Sequence, residues 1–339
     1  MNEHAGNGLS PAQLVYRVMN GHVIARAVFI AIELQLADKI QKGHSNAESL
    51  AKAAGADARM IYRILRILAG QGIFREGKDR QFSLTEMGET LLPDSQESIA
   101  ALGKLTHHPT TWAALGGFPH TIRTGETDFD HAIGESWIEH MATDNEFAAI
   151  FHQAMNGLTR MHNSSVAEAY DFSKHTRIVD VGGGNGALLS AILSRNDKLS
   201  GVLLDRESAI DQARQGAGGP MERCELVIGD FFDAVPSGGD VYILKIILHD
   251  WGDDDCIRIL KNCREAMVDG GRVLVIDRLI GAPNEPSLTH VADMFMMAFT
   301  GGVERSESEF EELFNRSGLA LVGTTATSTD INVLEAAKA

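Results

Sequence analysis

The sequence predicts an α/β protein in which a doubly wound sheet follows an N-terminal helical domain of winged-helix type. From residue 177 onwards, strand-like segments alternate with helical ones at intervals of roughly 20 to 30 residues, the pattern of doubly wound sheets. Before residue 93, two short helices precede a glycine and a hairpin, FREGKDRQFSL, with its turn at Gly77 to Arg80. The two patterns predict two differently built parts of one chain.

The segment from Leu9 to about Ile40 has apolar residues at helical spacing on more than one face. A helix that is apolar nearly all round requires burial on several sides. We therefore expect this segment to lie in a subunit interface, and the protein to be a homodimer through its N-terminal helices.

The winged-helix segment has a DNA-binding interpretation and a scaffold interpretation. Arg59, Arg63 and Arg66 recur at a spacing near one helical turn, as in a helix that reads the major groove. However, residues 45–92 carry seven basic and six acidic side chains, so they form no basic patch. The charge balance favours a scaffold or dimerisation role, and a DNA-binding regulator stays as an alternative.

The composition of the chain limits which kinds of partner and which cellular compartment we expect for the protein. The net charge of −16 disfavours nucleic acid and anionic membranes, because phosphate binding needs clustered Lys and Arg. No run of 18 apolar residues occurs, and the start MNEHAGNGLS has no signal-peptide pattern. Cys224, Cys256 and Cys263 form no CxxC pair, which favours buried thiols over a metal site. We expect a cytoplasmic protein without a metal or a membrane partner.

Three domains are predicted: residues 1–98, a helical lid or linker at 99–170, and the sheet domain at 171–339. In the middle region, His107 and His108 adjoin Pro109 and are predicted to lie in a loop. In the sheet domain, the strand-like segments are RIVDVG, SGVLLD, CELVIGD, DVYILKIIL, GRVLVID, GLALVGTTATS and INVLEAAK. Only a short turn separates the last two, so one edge strand must run antiparallel.

A glycine loop follows the first strand of the sheet domain. In RIVDVGGGNGALL, Gly182 and Gly184 stand between a strand and a helix, where backbone N–H groups can approach a ligand closely. Asp205 ends the next strand, 23 residues after Gly182, where it can accept hydrogen bonds from ribose hydroxyls. Asp230 and Phe231 follow the third strand, and offer an acceptor for an adenine amine beside an aromatic face. The loop also fits the degenerate dinucleotide pattern, so a nicotinamide oxidoreductase is another alternative.

With these motifs, the chain resembles the plant-type and bacterial small-molecule O-methyltransferases that use S-adenosylmethionine (SAM). The resembling stretches are VDVGGGNG, ending at Gly186, GDFF (229–232), LKIILHDWGDDDC (244–256), VLVID (273–277) and GGVERSESEFEELF (301–314). The resemblance covers nearly the whole chain. It implies a Rossmann-like methyltransferase sheet behind a dimerisation domain, with SAM as cofactor and no metal.

The resemblance also implies roles for individual residues. The cofactor contacts would be Gly182, Gly184, Asp205, Asp230, Phe231 and Lys245. His249 would be the general base, flanked by Asp277 and Glu304. Plant members usually carry Glu at the position of Asp277. Phe299 replaces the polar Asn of phenylpropanoid enzymes, which argues against a phenylpropanoid substrate.

The chemistry of methyl transfer gives these residues a purpose. A phenol with a pKa near 10 is only about 0.1% ionised at pH 7, so a positioned base accelerates its methylation. Soft and aromatic side chains at Met155, Met296 and Phe299 suit a flat aromatic ring. We expect the acceptor to be a hydroxyl of a planar aromatic metabolite, of the phenazine or aromatic polyketide type. A relative that has diverged to hydroxylation or decarboxylation is the alternative within the family.

Overall fold

The computed structural model describes residues 9–95, 97–216 and 218–339. The chain forms two compact units, Met1–Trp112 with Met141–Leu158, and Ala113–His140 with Thr159–Ala339. The helical middle region contributes to both units. The division at residues 98 and 170 stays a prediction.

The predicted N-terminal helical segment is divided into α1 (Pro11–Met19), α2 (Gly21–Glu33) and α3 (Leu36–Gln41). Gln35 has a φ of +52°, a left-handed conformation that a continuing helix cannot contain. Within the described residues, no single helix meets the length and hydropathy expected of a membrane span; α1 and α2, bent by 42°, do so only as a pair.

The winged-helix pattern is confirmed in the first unit. It comprises α4 (Ala47–Ala54), α5 (Ala58–Gly70), α6 (Glu86–Glu89) and the antiparallel strands β1 (Phe74–Glu76) and β2 (Phe82–Leu84). Asn46 and Asp57 cap α4 and α5, since their side chains accept hydrogen bonds from first-turn N–H groups. Leu50 and Leu65 are fully buried in the core of this unit.

Six further helices connect this pattern to the sheet. They are α7 (Ala100–Thr106), α8 (Pro109–Gly116), α9 (Phe118–Thr124), α10 (Asp128–Ile133), α11 (Trp137–Thr143) and α12 (Asn145–Ala169). His107 and His108 lie between α7 and α8, as predicted.

The second unit contains a seven-stranded sheet with the order β5-β4-β3-β6-β7-β9-β8. The strands are β3 (Arg177–Val181), β4 (Ser200–Asp205), β5 (Cys224–Ile228), β6 (Val241–Lys245), β7 (Arg272–Arg278), β8 (Leu319–Ala326) and β9 (Ile331–Lys338). β3 to β7 pair in parallel, whereas β9 is antiparallel to both β7 and β8. The predicted antiparallel hairpin at the sheet edge is confirmed, with β9 inserted between β7 and β8.

Helices cover both faces of this sheet. They include α13 (Ala187–Arg195), α14 (Glu207–Gln215), α15 (Asp253–Ala266), α16 (Leu288–Phe299) and α17 (Glu307–Arg316). Alternate residues of β3 enter different cores: Val179 packs in one and Ile178 in the other. Two-sided burial explains why these strands read as continuous apolar runs. Cys256 and Cys263 are buried free thiols, while Cys224 is half-buried.

One strand is shorter than the sequence predicts. The apolar run DVYILKIIL predicts a strand as far as Leu248, with His249 directly at its end, but β6 ends at Lys245. Ile246 has a φ of +54°, and Leu248–Asp250 form a short 3₁₀ turn. His249 therefore lies on a turn beyond the strand.

Candidate active site

The glycine loop after β3 forms a close-packed cradle. Gly182, Gly184 and Gly186 have φ values of +70°, +62° and +76°, which glycine adopts without steric cost. A Cβ on Gly182 would lie 2.7 Å from Ile247 Cδ1 and 3.5 Å from Phe231 Cε1. The loop thus leaves its backbone bare at the carboxyl end of the sheet, where ligands of doubly wound folds bind.

Asp205 connects this loop to the next strand. Its Oδ2 accepts a hydrogen bond from the Gly184 N–H at 2.7 Å, and its Oδ1 accepts one from the Arg206 N–H at 2.6 Å. Asp205 and the glycine loop are thereby brought together, as the sequence predicts.

Asp180, inside β3, is a buried acid that the sequence analysis missed. Its side chain packs against Gly183, where a Cβ would overlap the carboxylate, and neither of its oxygens has a hydrogen-bond partner among the described residues. Burial raises the pKa of Asp180 to about 7, while the nearby Lys245 cation lowers it. Burial likewise lowers the pKa of Lys245. An unpartnered acid under the glycine loop suits a ligand that carries positive charge, as SAM does. Its signal in the sequence was a lone acid inside an apolar strand.

Asp230 and Phe231 form the next part of the carboxyl edge. Asp230 Oδ1 accepts a hydrogen bond from the Phe232 N–H at 2.8 Å, which fixes the turn. Asn262, from α15, donates to the carbonyl oxygens of Phe231 at 2.8 Å and Phe232 at 3.1 Å. Phe231 also packs near Gly182. The predicted cofactor residues on β3, β4 and the loop after β5 therefore form one continuous region of this unit.

His249 is 7% exposed and pairs with a buried acid. Its Nδ1 lies 3.1 Å from Glu304 Oε1, and because a carboxylate only accepts, Nδ1 carries the proton. Its Nε2 lies 3.6 Å from Asp250 Oδ1. Neighbouring side chains on an extended strand would point apart, which predicts that Asp250 faces away from His249. That expectation is wrong, because the two residues lie on a 3₁₀ turn.

The GGVER loop (residues 301–305), which carries Glu304, also forms hydrogen bonds with the turn that carries His249. The Val303 N–H donates to the His249 carbonyl oxygen at 2.8 Å. The buried Arg305 donates to the carbonyl oxygens of Leu248 at 2.9 Å and Trp251 at 2.8 Å. The sequence motif identified Glu304 but gave no separate role to Arg305.

Asp277 completes a buried acidic cluster around His249. Asp277 Oδ1 accepts a hydrogen bond from the Arg278 N–H at 2.9 Å, and Oδ2 has no partner among the described residues. Burial raises the pKa of Asp277 to about 6. Burial alone would lower the pKa of His249, but Asp277, Glu304 and Asp250 outweigh it and raise that pKa to about 9.

Ligand-type atoms of His249, Asp277 and Glu304 lie within 4.8 Å of one another, a spacing that a divalent cation could also use. Positive charge is already present here, since Arg278 Nη1 lies 3.8 Å from Glu304 Oε1 and His249 has a raised pKa. We interpret the cluster as a base with its acids.

The predicted substrate residues have different surroundings. Met296 approaches the GGVER loop, since a Cβ on Gly302 would lie 3.1 Å from Met296 Cε. Phe299 is 9% exposed and packs against Phe129 and Trp137, with ring centroids 5.5 and 5.3 Å apart. Met155 is half-buried in the part of α12 that belongs to the first unit. All three contacts with substrate stay predictions.

The sheet, the glycine cradle and the buried histidine–acid cluster define a nucleotide-type cofactor site beside a candidate proton acceptor. The O-methyltransferase domain family matches residues 112–320, and the O-methyltransferase dimerisation domain family matches residues 16–94. The chain belongs to the O-methyltransferase family, and it is a SAM-dependent O-methyltransferase.

Relatives and solved structures agree with this assignment. The mitomycin biosynthesis 6-O-methyltransferase of Streptomyces lavendulae is 39% identical over 91% of this chain and 88% of its own length. A phenazine O-methyltransferase of Lysobacter antibioticus is 34% identical over 99% of both chains. A methyltransferase of calicheamicin biosynthesis, solved with S-adenosylhomocysteine (SAH) bound, matches with a TM-score of 0.91 and 33% identity, over 98% of this chain and 100% of its own.

Proposed function

We propose that this enzyme methylates a hydroxyl group of a planar aromatic metabolite, of the phenazine or aromatic polyketide type, with His249 as the general base. The observation that carries the proposal is the buried pairing of His249 Nδ1 with Glu304 at 3.1 Å, which leaves Nε2 as the proton acceptor. Similarity to enzymes named for mitomycin and phenazine methylation supports the substrate class. The alternative of a DNA-binding regulator loses its basis, because the chain belongs to a family of enzymes.

The protein residues would act as follows. SAM, once bound, supplies an electrophilic methyl group, and the glycine loop, Asp205 and Asp230 would hold its nucleotide part. Nε2 of His249 would take the proton of the acceptor hydroxyl as the O–CH₃ bond forms and the methyl group leaves the sulfur, so that SAM would end as neutral SAH. Glu304 keeps the proton on Nδ1, and both Glu304 and Asp277 stabilise the imidazolium that results.

The pKa of His249, raised to about 9, means that the ring of the ligand-free protein is mostly protonated at pH 7. A general base works best when its pKa lies near the operating pH, so His249 must lose this proton before it can accept one from a phenol. Positive charge brought by a bound ligand lowers the pKa of His249, since like charges disfavour each other. The rate should therefore rise with pH above 7.

The experiment for the proposed function is a panel of hydroxylated aromatics incubated with methyl-labelled SAM. Label should enter phenazine or polyketide-type phenols as an O-methyl ether, identified by product mass and NMR. Transfer to nitrogen alone, or a product that gains oxygen or loses carbon dioxide, would contradict the proposed acceptor.

We also infer a cytoplasmic homodimer assembled through the N-terminal helices. α1 has no buried residue, although it carries the exposed apolar side chains of Val15, Tyr16 and Val18. Such a stripe on a short helix is typical of an interface. Light scattering should give twice the chain mass for the wild type, and Val18→Asp should shift it towards one. Val322→Asp, at an exposed apolar position on β8, is the matched control.

A further inference from the structure

A network of charged side chains connects the His249–Glu304 pair to the hairpin between β8 and β9. Arg278 Nη1 lies 3.8 Å from Glu304 Oε1, the same oxygen that accepts from His249 Nδ1. The Arg278 Nε donates to Asp330 Oδ2 at 2.7 Å. The side chains of Arg278 and Glu304 are 13% and 1% exposed, so this cation is inside the protein with its acid.

Asp330, at the other end of this network, is also held in place. Asp330 Oδ1 accepts from His162 Nε2 at 2.8 Å, and His162 is 3% exposed. Hydrogen bonds from His162 and Arg278 hold the pKa of Asp330 well below its usual range, so Asp330 is a carboxylate at neutral pH. Ser165 Oγ lies 3.1 Å from Thr329 Oγ1, which ties the same turn to α12. Arg278 is thus held by an ionised partner, Asp330, whose own position is fixed by His162.

We propose that Arg278, anchored by Asp330, is a positioning residue for the catalytic pair: it orients Glu304 towards His249 and limits how strongly the buried acids hold a proton on the imidazole. The inference rests on the proposed role of His249 as base. A buried carboxylate without a compensating cation is costly, and Arg278 is the cation that lies beside Glu304. The same positive charge opposes protonation of His249.

The charged groups around His249 determine whether a substitution raises or lowers the pKa of its ring. Asp250 lies on its own turn, Asp277 and Arg278 on β7, and Glu304 on the GGVER loop. A further acid, Asp293 on α16, accepts a hydrogen bond from the Glu304 N–H at 2.9 Å. Three acids thus face the imidazole, and Arg278 is the cation paired directly with one of them.

This arrangement predicts opposite shifts for two substitutions. Arg278→Gln removes a positive charge and should raise the pKa of the His249 ring by about one unit or more. Asp330→Asn removes a negative charge behind Arg278 and should lower that pKa. Arg278→Lys keeps the charge and should stay within a few tenths of a unit of the wild type. If Arg278 and Asp330 only supported the fold, the direction of the pKa shift would not depend on the sign of the charge that is removed.

The direct measurement is an NMR titration of the ¹⁵N-labelled His249 ring in the SAH-bound enzyme, with His249→Gln to assign the signal. The pH dependence of kcat at saturating SAM, for an acceptor found in the panel, should follow the same order: Arg278→Gln shifted to higher pH and Asp330→Asn to lower pH. Equal ring titrations in all variants, or shifts in the same direction, would overturn the inference.

The controls separate this inference from the proposed function. Full activity of His249→Ala would defeat the base assignment, while the ring titration would still report the coupling to Arg278. If Arg278→Gln does not fold, Asp330→Asn at its third-exposed position and Arg278→Lys still decide the outcome. A normal titration in Asp330→Asn would then count against the inference.

Discussion

His249 and Glu304 form a buried hydrogen-bonded pair in which Nδ1 lies 3.1 Å from Oε1, although 55 positions separate the two residues in the chain. The pair joins the turn after β6 to the loop before α17. The side chains of His249 and Glu304 are only 9% and 1% exposed, so little solvent screens the interaction. Its function in the proposed mechanism is to fix the tautomer of the base.

Glu304→Gln should lower kcat by about 10² to 10⁴-fold, because an amide no longer enforces the Nδ1–H tautomer. It should also move the rise of activity to lower pH, since loss of an acid lowers the pKa of His249, now raised to about 9. Steady-state kinetics across pH 6 to 10 would measure both effects. Glu307→Gln, an exposed acid at the start of α17, is the control and should change neither. A Glu304→Gln enzyme with an unshifted profile would contradict the assigned pairing.

Arg305→Met should destabilise the fold by about 2 to 4 kcal/mol, because it removes the hydrogen bonds that the buried cation donates to the Leu248 and Trp251 carbonyl oxygens and to Asp253 Oδ1. It should also lower kcat, since these contacts hold the His249 turn. Denaturant unfolding would measure the first effect and kinetics the second. Arg316→Met is a matched control: Arg316 pairs with the same Asp253 at 3.7 Å but is 42% exposed, so its loss should cost under about 1 kcal/mol. Equal losses of unfolding free energy in the two variants would argue against a role of Arg305 in holding the His249 turn.

Asp180→Asn should stabilise the ligand-free protein at pH 8 more than at pH 5. The folded-state pKa of Asp180 is raised from 3.8 to about 7, so stability is lost as pH rises through this window, by up to about 4 kcal/mol. Asparagine removes the charge and therefore the loss. Thermal unfolding at the two pH values would measure the difference, with the exposed Asp197→Asn as control. The same substitution should weaken SAM binding, measured by calorimetry. A gain in Tm of equal size at both pH values would contradict the raised pKa of Asp180.

The sheet and its ligand edge could be predicted from the sequence because buried parallel strands read as apolar runs, and their carboxyl ends carry the polar residues. The same signal failed at β6. Leu248 is buried and Ile246 is half-buried against the core, which explains why both are apolar, whereas the strand has already ended at Lys245. A positive φ at an isoleucine has no compositional signal, since the tertiary packing imposes it.

The charge network behind the base was also outside the reach of pattern reasoning. Arg278 pairs with Asp330 across 52 positions, and His162 pairs with the same acid across 168. No periodicity connects such residues, and each one alone looks like an ordinary surface charge. Glu304 could be predicted only because it stands inside a motif, GGVER, that the family resemblance identified.

The most direct test of the central claim is the effect of His249→Ala on two acceptors of different acidity at pH 7, with SAM binding measured in parallel. For a phenol with a pKa near 10, the variant should bind SAM normally and lose methyl transfer about 10²-fold or more. For an acceptor with a pKa of about 7, which is already half ionised, the loss should be about 10-fold or less. Undiminished turnover of the weakly acidic phenol, or equal losses for both acceptors, would contradict the assignment of His249 as the base.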